Sequence, residues 1–128
     1  MTRFFAVAGA LFGLCAVLFG AFGAHGLAER VSAERLEVWA TAAHYLAWHA
    51  PALLALAALA WPGAGSRLLT AAGLCLVAGV LIFSGSLFLL VLTDTAAWGA
   101  VTPFGGVALA VGWGLAAAAF WRRPWPKP

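Results

Sequence analysis

Charged side chains are scarce in this sequence. They make up 9% of the 128 residues, whereas hydrophobic side chains make up 65%, and soluble domains carry about 25% charged residues. With a mean hydropathy of +1.01, this composition excludes a water-soluble globule. The few charges lie between long apolar runs, which is the arrangement expected when charges mark the ends of membrane spans.

A basic cluster with interleaved aromatic residues is also missing, although the formal net charge is +3. The basic residues are single or belong to the tail after Trp121, so no nucleic-acid partner is expected. The two cysteines, Cys15 and Cys75, are sixty residues apart, each in an apolar run. They fit neither a disulfide framework nor a clustered zinc site.

Four apolar runs predict four membrane-spanning helices in a single domain, residues 1–128. The first run, residues 4–24, has twenty-one residues without a charge and would form a helix about 31 Å long, close to the thickness of the hydrocarbon core. The runs at residues 39–61, 68–92 and 103–121 are predicted to span in the same way, and residues 122–128 form an extended basic tail. The predicted fold is an all-α integral membrane protein, a compact four-helix transmembrane bundle.

The first run has an alternative interpretation as a signal peptide. Arg3 precedes it, and the small residues around Phe22 resemble a cleavage site. A span is favoured because the run is longer than the apolar region of a signal peptide, which has about 7 to 15 residues.

The densest charge lies in residues 27–38, which are predicted to form a short helix or turn at the membrane surface. Ser32 is placed to cap the following helix, with Glu34 in its first turn near the positive end of the helix dipole. Pro62 and Gly63 are predicted to end the second span. Five tryptophans are predicted at membrane interfaces, where the amphipathic indole is most stable: Trp39, Trp61, Trp98, Trp121 and Trp125.

The distribution of basic residues predicts the orientation by the positive-inside rule. With four spans, the N-terminus, the loop after the second span and the C-terminal tail share one side. That side carries five of the seven basic residues, and the other side carries Arg30 and Arg35. Both termini are therefore predicted to be cytoplasmic. The five residues are Arg3, Arg67, Arg122, Arg123 and Lys127.

Small residues recur at helical spacing in three of the spans. They predict close helix packing, because lipid gives membrane helices no hydrophobic reason to associate. We expect these stripes to face other helices of the same chain, and for Gly9 and Gly13 a homodimer interface of the Gly-x-x-x-Gly kind is the alternative. The stripes are Gly9, Gly13, Ala16, Gly20 and Ala24 in the first span, Ala40, Ala43, Ala47 and Ala50 in the second, and Gly105, Ala108, Gly112, Ala116 and Ala119 in the fourth.

Four strings occur in order along nearly the whole chain: GAFGAHGL at residues 20–27, W-x-T-A-x-x-Y-x-x-x-H at 39–49, FSGSLF at 83–88, and TPFGG at 102–106 with a later Gly-Trp pair. Together they resemble the YgdD/YwdK-like family of small inner-membrane proteins, a domain of unknown function (four-two-three) with mitochondrial transmembrane relatives in animals. The resemblance implies a four-span protein of the bacterial inner, or plasma, membrane. It implies no reaction, cofactor or catalytic residue.

Polar residues gather in the predicted outer half of the membrane. A level of polar groups supplied by several helix ends is what a binding pocket or a gate needs. Eight residues are therefore candidates for a ligand site or a polar network: His25, Thr41, His44, Tyr45, His49, Ser84, Ser86 and Thr102. For Ser84 and Ser86 the structural alternative is favoured, in which each hydroxyl bonds its own helix backbone four residues earlier.

His49 is the most informative candidate. It lies near the middle of the second span, where an ionisable side chain marks a functional site by default because exposing it to lipid is costly. Pro51 leaves the carbonyl of Ala47 without its usual partner and is expected to bend the helix. Two interpretations stay open: a neutral side chain that bonds a carbonyl or serine of a neighbouring helix, or a ligand or proton site.

Metal, cofactor and catalytic sites are not predicted. His44 and His49 are five residues apart, about 140° around a helix, so they cannot chelate one ion together. The sequence has no HExxH, CxxC, P-loop, dinucleotide or GxSxG motif. We therefore expect a non-enzymatic accessory or scaffold protein of the lipid bilayer, as a homo-oligomer or with a membrane-complex partner. The alternative is a small carrier or binder of a quinone, lipid or ion in the outer half of the bilayer.

Overall fold

The structure, a computed structural model, describes residues 1–59 and 64–123. Within them the long helices are α1 (Thr2–Phe22), α2 (Ala33–Ala58), α3 (Ala64–Thr93) and α4 (Thr102–Trp121). A π-helical segment, Gly23–Leu27, continues α1, and a 3-10 helix, Ala96–Ala100, precedes α4. No strand occurs in the described ranges, and the predicted helical membrane bundle is confirmed. The predictions for Trp61, Pro62, Gly63 and the tail from residue 124 onward lie outside the described residues.

Glycine contacts show that α1 and α2 are antiparallel. A Cβ added to Gly9 would lie 2.8 Å from the carbonyl oxygen of Ala50, and one added to Gly23 would lie 2.6 Å from the Trp39 ring. Gly9 is therefore in close contact with α2 of its own chain, so the homodimer alternative is wrong for this residue. The close approach follows from the missing side chain, since any larger residue would meet backbone.

The third helix is parallel to α1 and antiparallel to α4. The start of α1 and the end of α4 therefore lie at one end of the bundle, here called the terminal end. Residues 23–32 and 94–101 lie at the other, here called the loop end. The directions of the helices follow from four contacts. These are Phe5 with Gly73 and Phe19 with Phe88 for α1 and α3, and Gly79 with Leu109 and Gly112 with Leu76 for α3 and α4.

Three segments of the described chain are long and apolar enough to cross a membrane: Thr2–Leu27, Arg67–Thr93 and Ala96–Trp121. α2 has 26 residues, or about 39 Å of helix, but its histidines, tyrosine and proline make it less apolar. Because α1 and α3 are parallel, the chain has to return between them, and α2 packs against both. A fourth span by α2 stays a prediction that this arrangement supports.

Residues 27–38, at the loop end, do not form the separate surface helix or turn that the sequence predicts. The π segment ends at Leu27 and α2 already begins at Ala33, six residues before the predicted start of the second span. Ser32 caps α2 as predicted, because its Oγ accepts a hydrogen bond from the Arg35 backbone N–H at 3.2 Å. The charged stretch is thus a turn followed by the first turns of a long helix.

An ion pair joins the start of α2 to the end of α3. Arg35 lies 2.7 Å from Asp94, which directly follows α3. Asp94 has a φ of 50°, a left-handed conformation that aspartate adopts more readily than most residues. Both side chains are at least partly exposed, so the pair contributes little stability and mainly marks where the two helix ends meet.

The small-residue stripe of α4 faces α3, as predicted. A Cβ on Gly105 would lie 2.5 Å from the backbone nitrogen of Phe83, and one on Gly112 would lie 2.8 Å from the Leu76 side chain. The stripe of α1 behaves differently along its length, because a Cβ on Gly20 would meet nothing within 4 Å. Helices α1 and α2 are therefore in close contact near Gly9 and leave a groove near Gly20.

Candidate functional site

His49 is buried in α2 and pairs with two other residues through its ring nitrogens. Only 5% of its surface is exposed. Its Nδ1 lies 2.8 Å from the Tyr45 carbonyl oxygen, one turn earlier, and its Nε2 lies 3.2 Å from the indole nitrogen of Trp113 in α4. An indole N–H can only donate, so Nε2 accepts and Nδ1 carries the proton. This is a neutral histidine that links two helices.

Ser84 connects α3 to α2. Its Oγ donates a hydrogen bond to the Ala42 carbonyl oxygen at 2.9 Å, and the side chain is 2% exposed. The sequence predicts a bond to its own helix, so the prediction is wrong in the choice of acceptor. The small side chain of Ala42, which is also buried, lets the two backbones approach closely enough for the hydroxyl to reach across.

Ser86 connects α3 to α4. Its Oγ donates to the Phe83 carbonyl oxygen of its own helix at 3.0 Å and lies 2.8 Å from Thr102 Oγ1. Thr102 in turn lies 3.4 Å from the Trp98 carbonyl oxygen. The local bond of Ser86 is thus formed three residues back rather than four, and the pair with Thr102 fixes the beginning of α4 against α3.

The other four candidates divide between the bundle interior and its surface. The Tyr45 ring stacks on Phe83 with centroids 4.0 Å apart, beside the Ser84 bond. His44 is exposed and stacks on Trp48 at 6.0 Å, and the exposed Thr41 donates to the carbonyl of its own helix at Glu37. His25 is exposed on the π segment. The structure therefore does not gather all eight candidates into one site.

Sequence reasoning missed a cluster of aromatic rings around Trp39. The sequence places Trp39 at a membrane interface, but it is only 3% exposed. Its indole N–H donates to the Phe19 carbonyl oxygen at 2.7 Å, and its ring lies 4.5 Å from that of Phe88 and 5.6 Å from that of Phe22. The signal that was available is Gly23, because only a residue without a side chain leaves room for the indole.

A groove opens between the loop-end halves of α1 and α2. It has a volume of about 280 Å³ and is lined mostly by small apolar residues. Gly20 lies on the α1 side, Ala40 and Ala47 lie on the α2 side, and His44 is its ionisable lining residue. Such a groove can hold an apolar chain or the side chains of another helix. It does not include His49 among its lining residues.

Metal chemistry has no visible basis in the described part of the chain, which holds no group of three or more histidine, cysteine, aspartate or glutamate side chains placed to bind an ion. His25, His44 and His49 are not gathered into a cluster of that kind. Among the described residues, the hydrogen bonds between helices are formed by hydroxyls, by the indoles of Trp39 and Trp113 and by a neutral imidazole.

Residues 19–106 match a protein family described as "Protein of unknown function (DUF423)". The chain is 42% identical over 111 residues to the UPF0382 membrane protein YwdK of Bacillus subtilis, covering 87% of this chain and 90% of that protein. It is 42% identical to the UPF0382 membrane protein SAB0533 of Staphylococcus aureus and 43% identical to SSP2132 of Staphylococcus saprophyticus, covering 87% of this chain in each case and 89% and 91% of the relatives. No solved structure is significantly similar. The family match includes all eight candidate residues but ends before Trp113.

Proposed function

Because the chain belongs to the DUF423 family and its relatives are named as membrane proteins, we propose that it is a non-enzymatic accessory or scaffold subunit of the membrane. The observation that carries this proposal is the pairing of His49. Both of its nitrogens are occupied within the chain, by Tyr45 and Trp113. A histidine used in this way stabilises a helix arrangement and leaves no ring nitrogen for a substrate.

The buried hydroxyl groups support the same role. Ser84 and Ser86 are both buried, and their bonds connect α3 to α2 and to α4. Interhelical hydrogen bonds of this kind contribute about 0.6 kcal/mol each on average in membranes. Their value in a scaffold lies in holding the helices in one register, so that the outer surface of the bundle keeps a fixed shape.

The surface that a partner would contact includes α1. Only 17% of the most apolar window of α1 is buried, compared with 50% for α3. Its exposed side carries large apolar residues, which are stable in lipid and equally able to pack against a helix of another protein or of a second copy. The exposed residues are Phe4, Val7, Leu11, Leu14, Val17, Leu18 and Phe22.

The proposed location is the bacterial inner membrane, with both termini in the cytoplasm. The up-and-down arrangement puts the start of α1 and the end of α4 at the same end of the bundle. Arg3, Arg67, Arg122 and Arg123 are near that end, whereas Arg30 and Arg35 are at the loop end. By the positive-inside rule, the more basic end is cytoplasmic.

The accessory role is tested by native purification from the source membrane in a mild detergent, followed by native mass spectrometry. We expect the chain in a complex of defined stoichiometry with a second membrane polypeptide or with itself. Replacing Leu14 on the exposed side of α1 by tryptophan should weaken that complex, and the same change at the exposed Val111 of α4 is the matched control. A monomer with no polypeptide partner would contradict the proposal.

A second candidate function is that of a small carrier or binder, and the groove between α1 and α2 is the observation that favours it. A bound quinone or lipid would add a discrete mass to the purified chain. Gly20→Leu would fill the groove and remove that added mass, whereas Gly114→Leu is the control, since a Cβ on either glycine meets nothing within 4 Å. An added mass that survives Gly20→Leu would place the ligand elsewhere.

A further inference from the structure

The terminal end of the bundle collects basic side chains from three helices. Arg3 is at the start of α1, Arg67 is in the first turn of α3, and Arg122 directly follows α4, and all three side chains are exposed. The acidic residues of the sequence lie elsewhere, at the loop end or in the first turns of α2. They are Glu29, Glu34, Glu37 and Asp94.

The helix register puts these three arginines at similar depths. Leu76 faces Gly112 in the antiparallel pair, so Arg67 lies about 14 Å toward the terminal end from that contact and Arg122 about 15 Å. Phe5 of α1 faces Gly73 of α3. By the same rise per residue, Arg3 lies about 6 Å less far out than Arg67, a difference that a long arginine side chain can cover by extending toward the interface.

The surroundings of the arginines are apolar. Trp121, next to Arg122, is 91% exposed, and Phe4, next to Arg3, is also exposed. A tryptophan in such a position is typical of the boundary between hydrocarbon and headgroups. A ligand at this end therefore meets positive charge on the water side and apolar helix surface on the lipid side.

We infer that the terminal end of the bundle binds anionic phospholipid, with lipid phosphates held by Arg3, Arg67 and Arg122 and the acyl chains lying along the exposed apolar surface. The guanidinium group matches a phosphate in both charge and geometry. A zwitterionic lipid has the same phosphate but brings its own positive charge, which the arginines repel. This inference goes beyond the accessory role and does not depend on it.

The test is native mass spectrometry of the purified chain with equal amounts of dioleoyl phosphatidylglycerol and dioleoyl phosphatidylcholine. We expect the wild type to retain the anionic lipid preferentially. Each basic residue near a membrane surface contributes about fivefold to the affinity for anionic lipid, so Arg122→Gln should lower the preference by up to that factor. Arg3→Gln/Arg67→Gln/Arg122→Gln should bring it close to parity.

The matched control is Arg30→Gln, which removes the same charge from an exposed position at the loop end. If Arg30→Gln lowers the preference as much as Arg122→Gln, the effect comes from net charge and the inference is wrong. Equal retention of the two lipids by the wild type would also overturn it. A third arm adds glycerol 1-phosphate at the lipid concentration: loss of bound phosphatidylglycerol would indicate a site for a free phosphate instead. Because single variants are compared, the test does not require the triple variant to fold.

Discussion

A histidine in the middle of a membrane helix is costly unless both ring nitrogens are paired. The sequence singles out His49 by its position and by the nearby Pro51, and it leaves open whether the partner is a helix or a ligand. It does not predict Trp113 as the partner, because α2 and α4 are brought together only through their packing on α3. The sequence of α2 alone is enough to identify His49 as unusual, whereas the identity of its partner depends on the relative register of α2, α3 and α4.

The pairing of His49 with Trp113 predicts a measurable coupling between the two residues. His49→Leu should lower the free energy of unfolding by about 1 to 3 kcal/mol, because the indole N–H loses its acceptor. His49→Gln should cost less, since an amide oxygen can replace Nε2 as the acceptor. In a cycle with Trp113→Phe, unfolding in detergent should give a coupling of about 0.6 to 1.7 kcal/mol.

Trp121→Phe is the control for this cycle, because Trp121 is 91% exposed and has no role in the pair. It should leave the free energy of unfolding unchanged within error in both backgrounds. Strictly additive effects of His49→Leu and Trp113→Phe would mean that the two side chains do not interact in the protein.

The segment that continues α1, Gly23–Leu27, is π-helical where it meets Trp39. Segments of this kind are rare and often lie at functional positions. Here the segment begins at Gly23, and the neighbouring Phe19 carbonyl oxygen accepts the indole N–H of Trp39. Hydrophobic periodicity cannot reveal such a change of helix type, since it reports which residues are apolar and not which carbonyl accepts which N–H.

Gly23→Ala tests whether this helix end depends on the indole. The new Cβ would lie 2.6 Å from the Trp39 ring, so we expect a loss of about 1 to 3 kcal/mol in the free energy of unfolding from overpacking. Gly20→Ala, three residues earlier, has open space and is the control. The loss should shrink when Trp39 is replaced by leucine, and an equal loss in both backgrounds would show that the strain arises elsewhere.

Two glycines of α4, Gly112 and Gly114, differ in whether they face another helix. The stripe pattern predicts that Gly112 faces another helix, and the structure confirms it. We expect Gly112→Leu to lower the thermal stability in detergent by the equivalent of about 1 to 3 kcal/mol, because the side chain enters the contact with Leu76. Gly114→Leu, two residues away, should be tolerated, since nothing lies within 4 Å of its Cβ. Equal stability of the two variants would mean that α4 does not pack on α3 through this stripe.

The same periodicity is less reliable for α1. It places Gly20 in a packing stripe with Gly9, although only Gly9 is in close contact with α2. A stripe is a property of one helix, whereas contact at each position also depends on the residues that face it, and the groove at Gly20 is lined on the α2 side by Ala40 and Ala47. The groove near Gly20 therefore could not be predicted from spacing alone.

For the whole molecule, the sequence predicts the number of helices, their order and the basic end. A membrane span requires a long apolar run, and charged residues lie at the ends of such runs. The hydrogen bonds of the interior are less predictable, since Ser84 and Trp39 donate to carbonyl oxygens of other helices. The membrane fixes where each helix ends, but the partner of each polar side chain depends on how close two backbones come. The sequence therefore identifies the candidate residues as polar, but whether each one is buried or exposed follows only from the arrangement of the helices.

The positions of the two termini show whether α2 spans the membrane. Four spans put both termini on one side, whereas three spans would put them on opposite sides. Because α1 and α3 are parallel, we expect four. A green fluorescent protein fused before Met1 or after residue 128 should fluoresce, and alkaline phosphatase at either position should be inactive. Phosphatase inserted between Thr95 and Ala96, at the loop end, should be active. An active phosphatase at only one terminus would contradict the four-span arrangement, and activity at both would reverse the predicted orientation while leaving the four spans in place.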